Sequence, residues 1–481
     1  MNAPILKLFV VFMLLFGALA ALTSWNTVLN AKAYRDNALN KRPLLAAQRI
    51  RRGTIRARDG ELLARSVRKG GKSGFYVRRY TDAARQFAHA VGYDYPNTIG
   101  LAGLERSYDD ALIGKRNELT SIIDELRGKR QQGDNVTTNL DPAAQRAAIA
   151  GLAGRKGAVV AIEPATGKVR VMVSTPGYDP RELADSRRLS QLQGDDANAP
   201  LVNRATQSGF PPGSTMKVVT ATAALDTGRF TPDSVISGDS PKTISGVPLD
   251  NFGGKDFGPI TLTTALTNSV NTVWAQVAEK LGRNTLNDYM RRFGFYSDPP
   301  LDYPDGQLIP SGVYAKKGLI EASSKSVDIG RVGIGQERLR VTPMQMAIVA
   351  ATVANDGVLV KPRLADRVVD PDGRVVKDIG VSRGERVMKS STARALNEMM
   401  GNVVREGSGT AAALQGIDVA GKTGTAELNL QGLNQPWFIG FAPQRAPKVA
   451  VAVTIQNVQG GQGGVDAAPI AKAVMQSLLG R

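Results

Sequence analysis

The 481-residue chain contains no cysteine and a single histidine, His89. Without cysteine there is no disulfide, no thiolate nucleophile and no Cys-ligated zinc. The lack of thiols suits an oxidising exterior without requiring one. One histidine cannot form a histidine metal cluster, and a Ser-His-Asp triad would have to be built around His89. That residue falls in a helical-looking stretch remote from every motif below, so it reads as structural. If the chain is a hydrolase or acyltransferase, a group other than histidine activates its nucleophile. No metal or other cofactor is expected, and there is no internal repeat.

What is present is a globular composition, 42% apolar, and a length that at ~150 residues per domain suggests two to three domains. The net charge is +18 and unevenly placed. Residues 31–80 carry fifteen Lys and Arg against only Asp36, Asp59 and Glu61. Such a block suits a nucleic acid or an anionic surface. No nucleic-acid motif accompanies it, so an anionic membrane or wall polymer is the better partner. A merely solvated basic face fits equally well.

Leu8 to Ala31 holds no charged residue, enough for one helix across a ~30 Å hydrocarbon core. Trp25 lies near its outer end, where aromatic rings favour the interface. The segment is expected to be an uncleaved signal-anchor; the alternative is a cleaved signal peptide, with Ala18-Leu19-Ala20 as a small-residue cleavage site. Only Lys7 and the amino terminus are positive before the span, whereas Lys32, Arg35, Lys41 and Arg42 follow it. Charge counting alone would put the bulk of the chain inside, but long translocated domains escape that rule.

Residues 32–135 read as a small, basic, mixed domain, with turn signals at Arg52-Gly53 and Asp59-Gly60 and a charged, helical-looking stretch over 114–134. From residue 136 the composition changes. Gly157–Ile162 and Lys168–Val173 form a hairpin around a Pro-Ala-Thr-Gly turn. Trp437–Phe441 and Lys448–Ile455 form another strand pair, the run Gly460, Gly461, Gly463, Gly464 a flexible loop, and residues 467–479 a closing helix. The middle is largely helical, including Ser214–Leu225 and Met344–Asn355. Strands at both ends around central helices predict one α+β domain whose sheet joins distant segments.

Three short motifs carry chemistry. In Pro212-Gly213-Ser214-Thr215-Met216-Lys217 a turn leads into an apolar helix, which places Ser214 at a helix N-terminus where backbone N–H groups favour negative charge. Lys217, three residues on, shares its helix face. An ordinary lysine is a poor base at neutral pH; burial or a second cation would lower its pKa and let it take the serine proton. Ser66…Lys69 has the same spacing but neither the turn nor the helix. Ser269-Val270-Asn271 offers a hydroxyl that can relay a proton and an amide that can hold a substrate carbonyl or the lysine. Ser24-Trp25-Asn26 matches it by spacing alone. Lys422-Thr423-Gly424-Thr425 occurs once, on a predicted strand from Val419 to Glu427. Gly424 permits close approach, and Lys422 with the hydroxyls of Thr423 and Thr425 would form an anion site. Lys422 would also be the second cation beside Lys217. Each motif alone is weak; the order, the spacings of 55 and then 153 residues, and the local contexts make the triple strong.

With these residues in hand, the chain resembles the class B penicillin-binding proteins, closest to the short actinobacterial penicillin-binding protein A group. The resemblance extends to Arg52-Gly53-Thr54-Ile55 through Ala64, Gly103-Leu104-Glu105, Tyr108-Asp109, Thr137–Gln145, Asn203-Arg204-Ala205, Gly333–Gln336 and Thr342-Pro343. Ala57 stands where the family's N-terminal signature usually has an acidic residue. The resemblance implies a β-lactamase-like transpeptidase fold, an antiparallel sheet flanked by helices, over residues 136–481. That domain would stand on a pedestal or dimerisation-type domain at 32–135, behind a cytoplasmic stub and membrane helix at 1–31.

It further implies a peptidoglycan D,D-transpeptidase, outside the cell membrane, cross-linking stem peptides that end in D-Ala-D-Ala and acylated by β-lactams. By motif, Ser214 is the nucleophile, Lys217 the base, Ser269 the proton relay and Asn271 the substrate-amide anchor. Lys422, Thr423, Gly424 and Thr425 form the carboxylate site, and the backbone N–H groups of Ser214 and Thr425 the oxyanion hole. A glycan polymerase of the SEDS type is the implied membrane partner. A β-lactamase or D,D-carboxypeptidase shares the motifs, and a β-lactam sensor or scaffold is the non-enzymatic alternative. A sensor would be expected to carry a cytoplasmic signalling domain, and a scaffold would not need all three motifs intact.

Overall fold

The computed structural model describes residues 3–30, 45, 47–70, 74–115, 131–428 and 432–480. Most of the charged stretch expected to be helical over 114–134 lies outside the described residues. Two compact units divide the chain, Met1–Arg51 with Val67–Val77, and Arg52–Ser66 with Arg78–Arg481.

The first unit is dominated by helix α1, Ala3–Ser24, which runs on through one wider turn at Trp25–Leu29. Its large apolar side chains are exposed all along it. Among the described residues this is the one helix long and apolar enough to cross a bilayer.

Four strands come first, β1 (Ile55–Arg56), β2 (Leu62–Arg68), β3 (Tyr76–Tyr80) and β4 (Asn135–Thr138), of which the second unit holds β1, β4, β2 up to Ser66 and β3 from Arg78. Next come helix α2 (Pro142–Leu152) and the hairpin β5 (Gly157–Ile162) and β6 (Val169–Thr175). The middle supplies α3 (Lys217–Asp226), α4 (Leu262–Thr267), α5 (Asn271–Leu281) and α6 (Pro343–Ala354). After β7 (Ala365–Val369), β8 (Val375–Asp378) and α7 (Ser390–Arg405) come β9 (Ala420–Glu427), β10 (Leu433–Ala442), β11 (Val449–Ile455) and α8 (Ala468–Leu478).

One sheet runs β9-β10-β11-β5-β6, every pair antiparallel, so the hairpin at 157–175 is zipped to the last strands of the chain. Side chains alternate across a strand. Val159 and Ala161 of β5 face a core shared with α2 and α8, while Ala158, Val160 and Ile162 face the core that holds α3, α5 and α6. Burial on both faces explains why these strands read as continuous apolar runs. Helix α6 is buried nearly all round; Thr342 caps its start by accepting from Gln345 N–H, and Pro343 needs no N–H there.

The second sheet runs β8-β7-β4-β1-β2-β3. Strands from residues 365–378 therefore complete a sheet begun by residues 55–80, a join that no local cue in the sequence marks. Under it lies a buried ion network. Glu105, fully buried, accepts from Arg52 Nε at 2.8 Å and Arg78 Nε at 2.6 Å, and Arg52 also pairs with Asp109. Burial would raise the Glu105 pKa, but Arg78 and Arg52 together outweigh it and hold the carboxyl below its usual range. Ala57 is fully buried in the adjoining apolar core, so this chain has no acidic side chain to satisfy there. His89 is structural as expected. Its Nε2 lies 2.9 Å from the Pro200 carbonyl, its ring meets Tyr178 edge-on, and burial lowers its pKa to about 4.

Candidate active site

The three motifs, distant in sequence, line one cleft of ≈ 1290 Å³. Its sheet-side wall is β9. Among the described residues this strand pairs only with β10, and no strand covers its other edge. Thr423, Thr425 and Glu427, alternate residues on one face, all line the cleft.

Ser214 sits in a single 3₁₀ turn, Gly213–Met216, and α3 proper begins at Lys217. The nucleophile candidate thus stands one tight turn ahead of the α-helix rather than at its first residue. The turn is fixed by close backbone packing. Gly213 has φ +52°, and a Cβ there would lie 2.9 Å from the carbonyl atoms of Thr425. Gly335, at φ +79°, would put a Cβ 1.9 Å from the Gly213 carbonyl oxygen. Neither position accepts a side chain without displacing the turn. Gly424 is just as tight, with the Pro212 carbonyl 2.7 Å from where its Cβ would be.

Lys217 is fully buried. Its Nζ donates to the Ser269 carbonyl at 2.7 Å and to Asn271 Oδ1 at 2.7 Å, and lies 3.3 Å from Ser269 Oγ. Asn271 Nδ2 donates to the Asp250 carbonyl at 3.0 Å, which orients the amide with its oxygen toward the lysine. Ser269 holds φ +59°, a left-handed conformation that is strained for a residue with a Cβ. Lys422, also fully buried, donates to Ser269 Oγ at 2.8 Å and to the Thr423 carbonyl at 3.0 Å. Burial first, and then the Lys422 charge, hold the Lys217 pKa well below its usual value; burial alone brings Lys422 down to about 7.

This geometry defines what Lys217 can do. A neutral amine has two N–H groups and one lone pair. The Ser269 and Asn271 carbonyl oxygens only accept, so they occupy both N–H groups. The lone pair is left for a hydroxyl, and Ser269 Oγ, already accepting from Lys422, can turn its own proton toward it. Ser214 Oγ makes no hydrogen bond to any described residue and remains available.

All eight residues singled out from the sequence meet here, while Ser66 sits within β2 and does not line the cleft. Several contributors had no sequence signal. Ser408 Oγ lies 2.6 Å from Thr423 Oγ1, and Gly463 N–H donates to Thr425 Oγ1 at 3.2 Å. Ser408 follows α7 in a generic Gly-Ser turn, so only its position in space distinguishes it. Within the glycine run expected to be a flexible loop, Gly463 and Gly464 are close-packed, whereas Gly460 has open space around it. A Cβ on Gly463 would lie 2.4 Å from the Gly424 carbonyl oxygen, and one on Gly464 2.4 Å from that of Ser408. These glycines serve close approach to β9, not freedom.

Comparison with known proteins agrees with this arrangement. Residues 157–476 match the penicillin binding protein transpeptidase domain, and residues 52–136 the penicillin binding protein A dimerisation domain. The chain is 34% identical to the peptidoglycan D,D-transpeptidase PbpA of Mycolicibacterium smegmatis, over all of this chain and 99% of that one. It is 33% identical to PbpA of Mycobacterium tuberculosis, with the same coverage. A solved structure of penicillin-binding protein A from M. tuberculosis, a ceftriaxone acyl-enzyme complex, superposes with a TM-score of 0.81 at 32% identity, over 90% of this chain and all of that one. With its fold, its cleft and both matched regions in agreement, the chain belongs to the penicillin-binding protein transpeptidase family.

Proposed function

We propose that the chain is a serine D,D-transpeptidase of peptidoglycan, with Ser214 as nucleophile and Lys217 as its base. The observation that carries this reading is the buried Lys217 amine, whose two N–H groups are occupied by the Ser269 carbonyl and Asn271 Oδ1. Its lone pair takes the Ser214 proton, directly or through Ser269, as Oγ attacks the carbonyl carbon of the penultimate D-Ala. The oxyanion is received by the backbone N–H groups of Ser214 and Thr425. The proton then passes to the departing amide nitrogen, the C–N bond breaks and D-Ala leaves. Lys422, Thr423 and Thr425 hold the terminal carboxylate, and the unpaired edge of β9 gives an extended donor peptide a strand to lie along. Asn271 fixes the lysine and binds a donor amide. A β-lactam enters the same sequence and stops at the acyl-enzyme.

The same reading divides the chain into an anchor at 1–31, a pedestal at 32–135 and a transpeptidase domain at 136–481. It places the catalytic part outside the membrane on a single-pass helix, beside a SEDS-type glycan polymerase.

The test is product analysis with a peptide ending in D-Ala-D-Ala and an amine acceptor. Release of D-Ala with formation of the new amide is expected, along with slow loss of bound penicillin. Rapid penicillin turnover would assign a β-lactamase instead, and D-Ala release with water as the only acceptor a carboxypeptidase.

A pH signature follows from Lys422. Above about 7 its ammonium is lost in the free enzyme, so carboxylate capture weakens. In wild type kcat/KM for penicillin acylation should fall on the alkaline side of pH 7. Lys422→Arg remains charged and should lose that limb, with the rate at pH 6 lowered roughly tenfold because a guanidinium overfills the buried slot. An unchanged alkaline limb in Lys422→Arg would remove Lys422 from this role.

A further inference from the structure

A transpeptidase needs a second substrate, an amine that reaches the acyl-enzyme through this cleft. At neutral pH a free primary alkylamine arrives as a cation, and two guanidinium side chains, Arg331 and Arg340, line the cleft. Something negative has to offset that repulsion. Four carboxylates line the cleft: Asp250, Asp328, Glu337 and Glu427. Asp328 is committed to the Arg331 N–H and the Ser245 hydroxyl, and Glu337 to the Arg338 guanidinium. Glu427 ends β9, on the wall assigned above to the donor strand.

Asp250 remains. Its side chain has no ion pair or hydrogen bond among the described residues, yet its backbone is firmly held. Asn271 Nδ2 grips its carbonyl at 3.0 Å. The next residue, Asn251, is buried, donates to the Gly238 and Lys255 carbonyls and accepts from Thr272 N–H at the start of α5. Beyond it, Phe252 lines the same cleft and is 66% exposed. This held segment therefore presents a free carboxylate and an aromatic ring to the same cleft, tied through the Asp250 carbonyl to Asn271 of the lysine network.

We propose that Asp250 and Phe252 form the acceptor port, which receives the second substrate as a primary alkylammonium, carboxylate to charge and ring to methylenes. The proposal rests on the transpeptidase reading and deepens it. At the port the amine is still protonated. On moving inward it gives one proton to solvent, and its nitrogen lone pair attacks the acyl carbonyl. The C–N bond forms, the C–Oγ bond breaks, and the second nitrogen proton reaches Ser214 Oγ through Lys217. The enzyme returns to its starting state with one proton released.

The test uses the full chain acylated by a D-alanyl thioester, with two nucleophiles at pH 7.5: Nα-acetyl-L-lysine amide, a cation, and hydroxylamine, which is neutral. Asp250→Asn should lower lysine-amine aminolysis relative to hydrolysis by roughly two- to fivefold at low salt, the range of an exposed ion pair. The loss should vanish at 1 M salt, Asp250→Glu should restore most of it, and both hydroxylaminolysis and thioester acylation should be unchanged. Equal loss with both nucleophiles, a loss that persists at 1 M salt, or no loss would each overturn the port. Should wild type fail to be acylated by the thioester, the functional reading itself falls and the port with it.

Discussion

Ser214→Ala protein should take up no fluorescent penicillin, while Ser66→Ala labels at the wild-type rate. Labelling is covalent, so loss of the attacking oxygen removes the bond itself rather than an affinity. The two serines share the same spacing to a lysine, which makes the pair an internal control. Ser214 lines the cleft with Lys217 buried behind it, whereas Ser66 lies mid-strand in β2. Removing a hydroxyl from a half-buried turn with no hydrogen bond to lose leaves the fold intact. Unchanged far-UV and near-UV circular dichroism with zero label is therefore the expected combination. Persistent label on Ser214→Ala, traced by peptide mapping to another residue, would overturn the nucleophile.

The contrast between these serines also shows what the sequence could carry. The turn before Ser214 and the apolar helix after it are local features, and local features are legible: the strands at 157–162, 420–427 and 449–455 and helices α6 and α8 follow the expected pattern closely. What local pattern cannot report is which segments meet. Nothing near Ser408 says that its hydroxyl will find Thr423, and nothing near Gly335 says that its missing side chain makes room for the Gly213 carbonyl. The sharing of one sheet between residues 55–80 and 365–378 is hidden for the same reason. Glycine misleads in its own way, because the same residue permits both mobility and close packing, and Gly463 and Gly464 prove to be the latter.

Lys217→Met should slow penicillin acylation by about 10²- to 10⁴-fold, the usual contribution of a general base, while leaving the protein folded. Methionine nearly matches the lysine stem in length and needs no proton, so the loss reports chemistry rather than packing. Stability supplies an independent readout. Burial and Lys422 hold the folded-state pKa of Lys217 well below 10.5. Between those two values the unfolded chain binds a proton that the folded protein does not, so this group makes stability rise with pH across that window. It penalises the fold most at the low end and not at all above about 10.5. Removing it should flatten the curve by up to about 1.4 kcal/mol per pH unit, one proton's worth. Urea unfolding at pH 7.5 and 9.5 measures this directly. Lys217→Met leaves the Ser269 carbonyl and Asn271 Oδ1 without their donor, which costs about 1–3 kcal/mol for each unpaired group. That cost does not depend on pH. The signature is therefore the change in the stability gap between variant and wild type, which should move against the variant as pH rises. A gap that stays constant from pH 7.5 to 9.5 would mean that Lys217 keeps its proton in the folded protein, and a lysine that keeps its proton cannot take one from Ser214.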